Sequence, residues 1–524
     1  MKAWEFIKKW KIIPYVIMML FLAALGLGIR HRNYSQVVEL YGNDAIYLKK
    51  YYLVILIIAL IAATVLYYMV FIRKSKLHNI LLAAILSVGT FVMVLIPPFA
   101  SADEDTHLNV ASYYANMITG VGDAGTENNL YYKRACDAEY GTNHDMSAKN
   151  YIKVAKDLFT RPDENGKKIV IDEGAHVNMT GAKIVIYLPA VVGVMFSRLI
   201  GVSTTMMVFI CRILMLAVYA TLCYLAIRKI PTGKNLLMVI MLLPSSLMRA
   251  GFVSEEAVID GALFLFMAYV VNAAFTDRTI KVSEAVTMGI CGALVTFGKG
   301  GAYIPLLLTL FIIPKKNFGS KIKYPVIVAG AVILTGILFV LSNPSLLGDV
   351  VGNNTDLYYT EAKGYSLGHI ISHPKESCGV LVATWLLHGP LRFTELTAGN
   401  AGYLQIPSSS ILVGAFVVVM LLAVMNTNGE ELCYSRKQKT ISIVGALCSA
   451  ALVVLSMWLF YTPMGEGAVI GLQGRYFLPL LFPVLMVFKN KTLVVKKDIG
   501  TVLIFTIYLL YFEMFMEIWF KLAL

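Results

Sequence analysis

The sequence is poor in charge and in cysteine. Only 15% of its 524 residues are charged, and its seven cysteines include no Cys-x-x-Cys pair and form no even set. These features argue against a zinc site built on paired cysteines and against a disulfide scaffold. We find no short repeat, coiled coil or low-complexity tract, which favours a single membrane domain over a repeat array.

Acidic residues are also scarce. The 45 Lys and Arg outnumber the 32 Asp and Glu and give a formal net charge of +13, a value that can indicate nucleic-acid binding. Here, however, the basic residues form short clusters between apolar runs, as cytoplasmic loops of membrane proteins do. We therefore expect no nucleic-acid partner. The clusters lie at 2–11, 73–76, 228–234, 315–323, 436–439 and 489–497.

Long apolar runs, in contrast, are abundant. Hydrophobic residues make up 58% of the chain and the mean hydropathy is +0.70. Many runs reach about 18 residues, the length that crosses a bilayer core. The sequence predicts an all-α polytopic membrane protein with its N-terminus inside and about thirteen transmembrane helices. The expected spans are 13–29, 51–73, 78–99, 203–227, 235–250, 257–275, 284–298, 301–314, 323–342, 409–426, 440–461, 476–488 and 499–521.

Two apolar runs need separate treatment. The first, 13–29, resembles a signal peptide, but no small-x-small cleavage site precedes Arg30, so we expect an uncleaved span. The other, 184–200, would invert every later loop if it crossed the membrane. We expect it to be a re-entrant or interfacial helix.

The predicted topology divides the chain into five regions and gives the outer side two large segments. Outer juxtamembrane helices are expected at about 104–118 and 147–159. A glycine-rich Ala-Gly-Asn-Ala-Gly-Tyr lies at 398–403, in the second outer segment. The regions are a three-span region at 1–99, an outer loop with an acidic motif at 100–202, a central bundle at 203–342, a second outer segment at 343–408 and a C-terminal bundle at 409–524.

An acidic cluster directly follows the third predicted span. Three carboxylates and an imidazole, those of Asp103, Glu104, Asp105 and His107, fall within five residues, and His107 lies one helical turn after Asp103. A carboxylate at the edge of a low-dielectric region can act as a general base. The plainer alternative is that Asp103 caps a helix that begins near Glu104. Asp103 and Asp105 could also bind Mg²⁺ or Mn²⁺.

Cations also stand at the predicted outer mouths of spans. Lys299 lies among glycines and could approach a phosphate, or it could be a snorkelling lysine on a turn. Arg475 follows Gln473 and precedes Tyr476, and it suits a phosphate group, or it could be an interfacial anchor. Arg212 lies deep in a span, where structural pairing is favoured.

These residues share one predicted side of the membrane, which includes Glu256, a candidate ligand, hydrogen-bond partner or cap. A carboxylate base and several cations on one face suit a transferase whose donor is a lipid phosphate. The cations would hold the leaving phosphate while the carboxylate deprotonates the acceptor hydroxyl.

Several segments resemble the bacterial membrane protein family DUF2142, in the family's order and from about 78 to 490. Among them, the Gln-Gly-Arg-Tyr-Phe-Leu-Pro run is the most specific. The matching segments are 98–107 with its Pro…Asp-Glu..His pattern, 186–212, 252–257, 298–303, 399–402 and 472–479.

That family is similar in layout to the GT-C membrane glycosyltransferases. The resemblance implies a GT-C-like fold, with Asp103 as the base and Glu104 as its orienting or acceptor-binding neighbour. Two motifs depart from the family: Glu256 replaces an aspartate, and Lys299-Gly300 replaces Lys-Pro, which keeps the cation but should loosen the turn. Two additional N-terminal spans also precede the acidic motif.

We therefore expect an inverting glycosyltransferase of a bacterial cytoplasmic membrane, with its active site facing outside. It would move a sugar from a polyprenyl-phosphate donor to a cell-envelope polysaccharide or related glycan. A polysaccharide polymerase or ligase is one alternative. A lipid-linked glycan transporter or flippase is another, but it should have paired broken helices and an inverted repeat, neither of which is evident in the sequence. The donor phosphate and lipid would contact Lys299, Arg475, His107, Gln473 and Tyr476, and acceptor-binding or supporting roles would fall to Glu256, Tyr303 and Arg212.

Overall fold

The protein is described here by a computed structural model. It describes residues 11–30, 34–121, 130–141, 145–174, 183–319, 330, 334–340, 355–357, 359–402, 405–427 and 432–523. Most of these residues are helical, and the strands form only three two-stranded sheets. The predicted all-α class therefore holds at the level of architecture.

The N-terminal region contains longer helices than the sequence predicts. Residues 30–50 were expected to form a loop, yet Val37, Ala45 and Leu48 are buried, and Tyr34–Ile72 forms one 39-residue helical segment. Gly42, with φ +53°, is absorbed in a short 3-10 turn. The helices are α1 (Ile12–Arg30), α2 (Tyr34–Tyr41), α3 (Ala45–Tyr67, followed by a π turn Tyr68–Ile72) and α4 (Leu77–Leu95).

Both helices predicted in the first outer segment are confirmed. Ser147 caps the second of them by accepting a hydrogen bond from the Asn150 amide. This segment also contains a two-stranded antiparallel sheet, which the sequence did not predict. It pairs Leu130 with Glu173 and Arg134 with Ile169. The elements are α5 (Glu104–Thr119), β1 (Leu130–Arg134), α6 (Ala135–Tyr140), α7 (Ala148–Asp157), β2 (Ile169–Glu173) and α8 (Ile184–Ile200).

The central bundle departs from the prediction at two expected spans: 235–250 is broken, and 301–314 forms 3-10 segments and no α-helix. The run 235–250 is broken before Pro244, because proline lacks an amide donor and its ring clashes with the preceding turn. The helices are α9 (Thr204–Lys229), α10 (Lys234–Met241), α11 (Pro244–Gly251), α12 (Glu256–Phe275) and α13 (Val282–Val295), followed by 3-10 segments Gly298–Gly301, Ile304–Ile312 and Lys315–Phe318.

Most of the expected span 323–342 lies outside the described residues. The part of it that the structure describes, residues 330 and 334–340, is helical. The second outer segment contains a 24-residue helix, α15, that the sequence did not predict. Its elements are α14 (Leu367–Ser372), α15 (Pro374–Thr397), β3 (Asn400–Ala401) and β4 (Ile406–Pro407).

The C-terminal bundle contains another expected span that is broken. Residues 474–488 change from 3-10 to α and back, with Pro479 and Pro483 in the α part. The elements are α16 (Ser410–Val424), β5 (Asn426–Thr427), α17 (Arg436–Tyr461), a 3-10 turn Gly474–Phe477, α18 (Leu478–Leu485), a 3-10 turn Met486–Phe488, β6 (Val494–Val495) and α19 (Gly500–Phe520).

Seven helices in the described chain are long and apolar enough to cross a membrane, and four shorter apolar helices accompany them. The chain is thus a multi-pass membrane protein, but the structure does not establish the expected count of about thirteen. Helix α9 is central and packs against α4, α8 and α12. The interfacial placement of α8 stays a prediction.

The loops gather at two ends of the bundle. At one end Lys229 pairs with Glu284 at 2.5 Å, and the Asn426 amide donates to the Asn490 carbonyl at 2.6 Å. At the other end the Tyr151 hydroxyl donates to the Leu95 carbonyl at 2.5 Å. This grouping agrees with the predicted topology, in which the basic clusters share one side and the acidic motif lies on the other.

Candidate active site

The turn between α4 and α5 has a strained backbone at two positions. Phe99 and Asp103 both have φ of 63°, in the left-handed region that ordinary residues rarely adopt. Each such residue costs of order 1–2 kcal/mol and persists only where surrounding contacts enforce it.

A buried ion pair supplies that enforcement. Arg212 donates to Glu104 from Nε at 2.7 Å and from Nη2 at 2.5 Å, and both side chains are 0% exposed. Glu104 also accepts from the Phe99 and Val253 amides, at 2.9 and 3.1 Å. Arg212 donates in addition to the carbonyls of Met93, Ile96 and Pro97.

The surroundings of Glu104 are incompatible with one of the two roles predicted for it, acceptor binding. A carboxylate with no exposed surface and both oxygens hydrogen-bonded does not contact an acceptor, so the acceptor-binding alternative for Glu104 does not fit. The residue instead positions the turn that carries Asp103. Arg212 takes the supporting, structurally paired role that its depth suggested.

Asp103 has a different environment from its neighbour. Helix α5 begins at Glu104, as expected, but the Asp103 side chain makes no capping hydrogen bond. It accepts instead from Arg475 Nη2 at 3.0 Å, and it is 40% exposed against 19% for Arg475. The simple helix-cap alternative is therefore wrong for this side chain.

The arginine of the Gln-Gly-Arg-Tyr motif is held by its backbone. Arg249 donates from Nη1 to the Arg475 carbonyl at 2.8 Å, and the Gly474 amide donates to Glu395 at 2.5 Å. A Cβ on residue 474 would lie 1.7 Å from the Arg392 carbonyl oxygen, so only glycine fits there. This contact fixes the motif against the end of α15.

Arg249 is itself part of a second buried ion pair that the sequence analysis missed. Its Nε and Nη2 lie 2.8 and 3.0 Å from the two carboxylate oxygens of Asp260. The available signal was an aspartate inside an otherwise apolar helix, since a charge there requires a partner.

Lys299 lies beside Tyr476 and Glu256. Its Nζ is 4.2 Å from the centre of the Tyr476 ring and 3.4 Å from Glu256 Oε1. The Tyr303 hydroxyl donates to the Tyr476 carbonyl at 3.0 Å, which gives Tyr303 a supporting position. Arg475 approaches the same ring at 5.6 Å. Two cations therefore meet on one aromatic side chain.

The turn that carries Lys299 is not loosened by its glycines. Lys299 and Gly300 have φ of 46° and 60°, and Gly301 has φ of 87°. Proline is confined to φ near −65°, so the Lys-Pro of the family pattern could not adopt this backbone. Glycine at 300 is what lets the turn form.

His107 joins the cluster through Tyr187. Its Nδ1 lies 2.5 Å from the Tyr187 hydroxyl. His107 also interacts electrostatically with Glu256, as do Lys299, Arg249 and Arg475. Direct contacts thus connect five residues that the sequence placed on one side into one cluster, Asp103, Glu256, Lys299, Arg475 and Tyr476, and His107 interacts with Glu256 electrostatically.

The third residue of the acidic motif, Asp105, lies on α5. Burial raises the pKa of Asp105, and the nearby Asp103 carboxylate raises it further. Among the residues the structure describes, no group of three or more His, Cys, Asp or Glu side chains is arranged to hold a metal ion. The Mg²⁺ or Mn²⁺ alternative on Asp103 and Asp105 therefore gains no geometric support.

An apolar groove reaches Lys299. It runs between the turn at 299–305, Phe339 and the C-terminal part of α17. A second groove shares Ile304, Pro305 and Phe339 with the first. Lys299 therefore belongs both to the cationic cluster and to the lining of an apolar groove.

A separate, smaller cavity lies on the Arg475 side of the cluster. Arg475, Gln473, Asn400 and Ser101 line it with apolar neighbours such as Met248 and Phe252. Gln473 thus faces this cavity, away from the groove that reaches Lys299.

Comparison with known proteins identifies a family and nothing more specific. A family model described as "Predicted membrane protein (DUF2142)" matches residues 85–484. No curated protein and no solved structure matches the chain.

Proposed function

The chain belongs to the DUF2142 family of predicted membrane proteins, and we propose that it is a membrane glycosyltransferase. The substrate would be a sugar on a polyprenyl phosphate, and the acceptor a cell-envelope glycan. One observation carries the proposal: Lys299 lines an apolar groove, and it connects through Tyr476 and Arg475 to the partly exposed Asp103 carboxylate.

The groove and the cations suit the two parts of a lipid phosphate. A polyprenyl tail is apolar and can occupy the groove along 304–312 and α17. A phosphate at its end would meet Lys299 and Arg475, which supply charge-assisted hydrogen bonds and stabilise the leaving group as charge develops on it.

Asp103 is the best candidate for the base. Glu104 and Asp260 are buried and hydrogen-bonded to arginines, and Glu256 is buried beside Lys299. Asp103 makes a single ion pair and keeps 40% of its side chain exposed. A general base must reach the proton that it abstracts, and among these four carboxylates Asp103 has the access to do so.

The proposed step is a single inverting displacement. The acceptor hydroxyl oxygen attacks the anomeric carbon while its proton passes to Asp103. The bond between that carbon and the phosphate oxygen breaks, and the polyprenyl phosphate leaves with both bonding electrons. Lys299 and Arg475 hold the phosphate throughout, so its added charge meets fixed cations.

The transporter alternative keeps one point in its favour, because two expected spans, 235–250 and 476–488, are broken in the structure although the sequence did not predict it. Against it, the deep cation Arg212 is fully engaged by Glu104 and three carbonyls. A polymerase or ligase would share the cations but would use lipid diphosphate glycans.

Reconstituted protein can separate these functions. Proteoliposomes would receive radiolabelled polyprenyl-phosphate monosaccharides, polyprenyl-diphosphate oligosaccharides, and fluorescent lipid glycans for flipping. The proposal predicts release of polyprenyl phosphate and labelling of a glycan acceptor from the monosaccharide donors. Activity only with the diphosphates would favour a polymerase or ligase, and flipping without transfer would favour a transporter.

The proposed location is a bacterial cytoplasmic membrane, with the Asp103 end on the outer face. In a chain with the exposed Cys378 and Cys448 replaced by serine, a membrane-impermeant maleimide should label Asp103→Cys in intact cells, as it should label Glu466→Cys, an exposed site at the same end. Labelling only after permeabilisation would reverse the proposed orientation.

A further inference from the structure

The cavity beside Arg475 contains buried polar atoms without hydrogen-bond partners. Both side-chain amide atoms of Asn400 are unpaired, and so are Gln473 Oε1 and Arg475 Nε. All three residues line the cavity, and Asn400 is only 8% exposed. Such groups cost of order 1–3 kcal/mol each when unsatisfied, so their concentration at one cavity indicates a ligand that pairs with them.

The backbone around Asn400 holds its amide in place. Asn400 pairs with Pro407 in the short β3–β4 hairpin, and Gly399 and Gly402 on either side have φ of 69° and 70°. A Cβ at 399 would lie 2.9 Å from Met248 Sδ, and one at 402 would lie 2.5 Å from Met146 Cγ. Gly399 and Gly402 therefore serve to present the Asn400 side chain.

The mixture of unpaired atoms indicates the chemistry of the ligand. Whichever way its side-chain amide is oriented, Asn400 offers one donor atom, the NH2 nitrogen, and one acceptor atom, the oxygen, and Arg475 Nε offers a further N–H donor. A phosphate would accept from the donors but leave an amide oxygen facing an anion. A hydroxyl both donates and accepts, so neighbouring hydroxyls satisfy the whole set.

We infer that this cavity is a subsite for one neutral sugar residue, recognised through its hydroxyls by Asn400, Gln473 and Arg475. This inference rests on the proposed function for its place in the reaction: Arg475 then contacts the sugar on one side and Asp103 on the other. Gln473 takes a role in sugar recognition, distinct from the phosphate-binding role expected from sequence.

The test measures binding without turnover. Purified protein in detergent is heated with a panel of methyl hexopyranosides, with methylcyclohexane, which has a six-membered ring and no hydroxyl, as an apolar probe. We expect at least one glycoside, and not the apolar probe, to raise the melting temperature of the wild type. Asn400→Leu removes both amide atoms, and Asn400→Asp keeps the shape but removes the donor. Both should lose the glycoside-induced shift.

Asn426→Leu is the matched control. Asn426 is another buried amide with an unpaired Oδ1, at the opposite end of the bundle. This variant should melt at a lower temperature but keep the glycoside-induced shift. A wild type that responds to no glycoside, or a shift that survives in Asn400→Leu, would overturn the subsite.

Transfer assays separate this inference from the proposed function. With the polyprenyl-phosphate donor that the wild type uses, Asn400→Leu should raise KM about tenfold or more, for two lost hydrogen bonds. Unchanged transfer kinetics in Asn400→Leu would refute the subsite and leave the transferase standing. A glycoside shift without turnover of any donor would refute the transferase and leave the subsite standing.

Discussion

Two carboxylate–arginine pairs occupy neighbouring positions and differ in almost every physical respect. Glu104 and Arg212 are 0% exposed, and five further hydrogen bonds to backbone groups surround them. Asp103 and Arg475 are 40% and 19% exposed, and their single contact is 3.0 Å long. The first pair fixes the fold of the turn. The second keeps unused hydrogen-bonding capacity, which is what a site for substrate requires.

The largest effect on stability should come from breaking the buried Glu104–Arg212 pair. Arg212→Met leaves the Glu104 carboxylate buried without its partner, which should destabilise the protein by about 3–5 kcal/mol. The measurement is thermal or denaturant unfolding in detergent. The double variant Glu104→Gln with Arg212→Met should recover part of the loss, because no uncompensated charge remains. If Arg212→Met were as stable as the wild type, the Glu104–Arg212 pair would not be what fixes the turn.

Breaking the open pair should leave the fold intact and lower transfer. Arg475→Ala removes a partly exposed ion pair, which contributes about 0–1 kcal/mol to stability. It also removes a charge-assisted contact to phosphate, so kcat/KM should fall about 10- to 150-fold. Circular dichroism and donor turnover measure the two effects. Loss of folding with retained turnover per folded molecule would reverse this assignment.

Lys299→Ala further tests the distinction between charges that fix the fold and charges that bind substrate. Lys299 makes a looser 3.4 Å contact with Glu256 and borders the groove. We expect donor kcat/KM to fall about 5- to 50-fold, corresponding to about 1–2.3 kcal/mol, with partial recovery in Lys299→Arg. If Lys299→Ala were as active as the wild type at subsaturating donor, neither Lys299 nor the groove that it borders would bind the donor.

The smallest expected effect is a loss of stability from a substitution in the turn that carries Lys299. Gly300→Ala places a Cβ on a residue with φ of 60°, which should cost about 1 kcal/mol of stability. Gly289→Ala is the matched control, since Gly289 lies in α13 and an added Cβ there meets no atom within 4 Å. Unfolding measurements should show a loss in the first variant and none, or a slight gain, in the second.

Local sequence patterns predicted a useful part of the fold. The start of α5 followed from the change from apolar to acidic residues at Asp103, and α7 followed from its amphipathic pattern. Lysine and arginine clusters separated the two ends of the bundle, and this was sufficient to bring Asp103, Lys299 and Arg475 to the same end. Each of these features depends on neighbouring residues or on the bilayer, not on distant contacts.

Features that depend on long-range contacts were missed. The β1–β2 hairpin joins segments about 40 residues apart, and the Arg249–Asp260 pair forms between two different helices. Helix α15 escaped prediction because its mean hydropathy is modest and Pro390 interrupts its pattern. Asn400 could not be recognised as unpaired before the hairpin and the Gln-Gly-Arg turn were placed around one cavity.

The most direct test of the central claim compares Asp103→Asn with Glu104→Gln in one preparation, measuring unfolding and single-turnover sugar transfer. Asp103→Asn should keep its stability within about 1 kcal/mol and its donor binding, and lose about 100-fold or more in the chemical step. Glu104→Gln should instead lose stability, since it leaves Arg212 buried without a countercharge. Undiminished transfer in Asp103→Asn would contradict the assignment of Asp103 as the base.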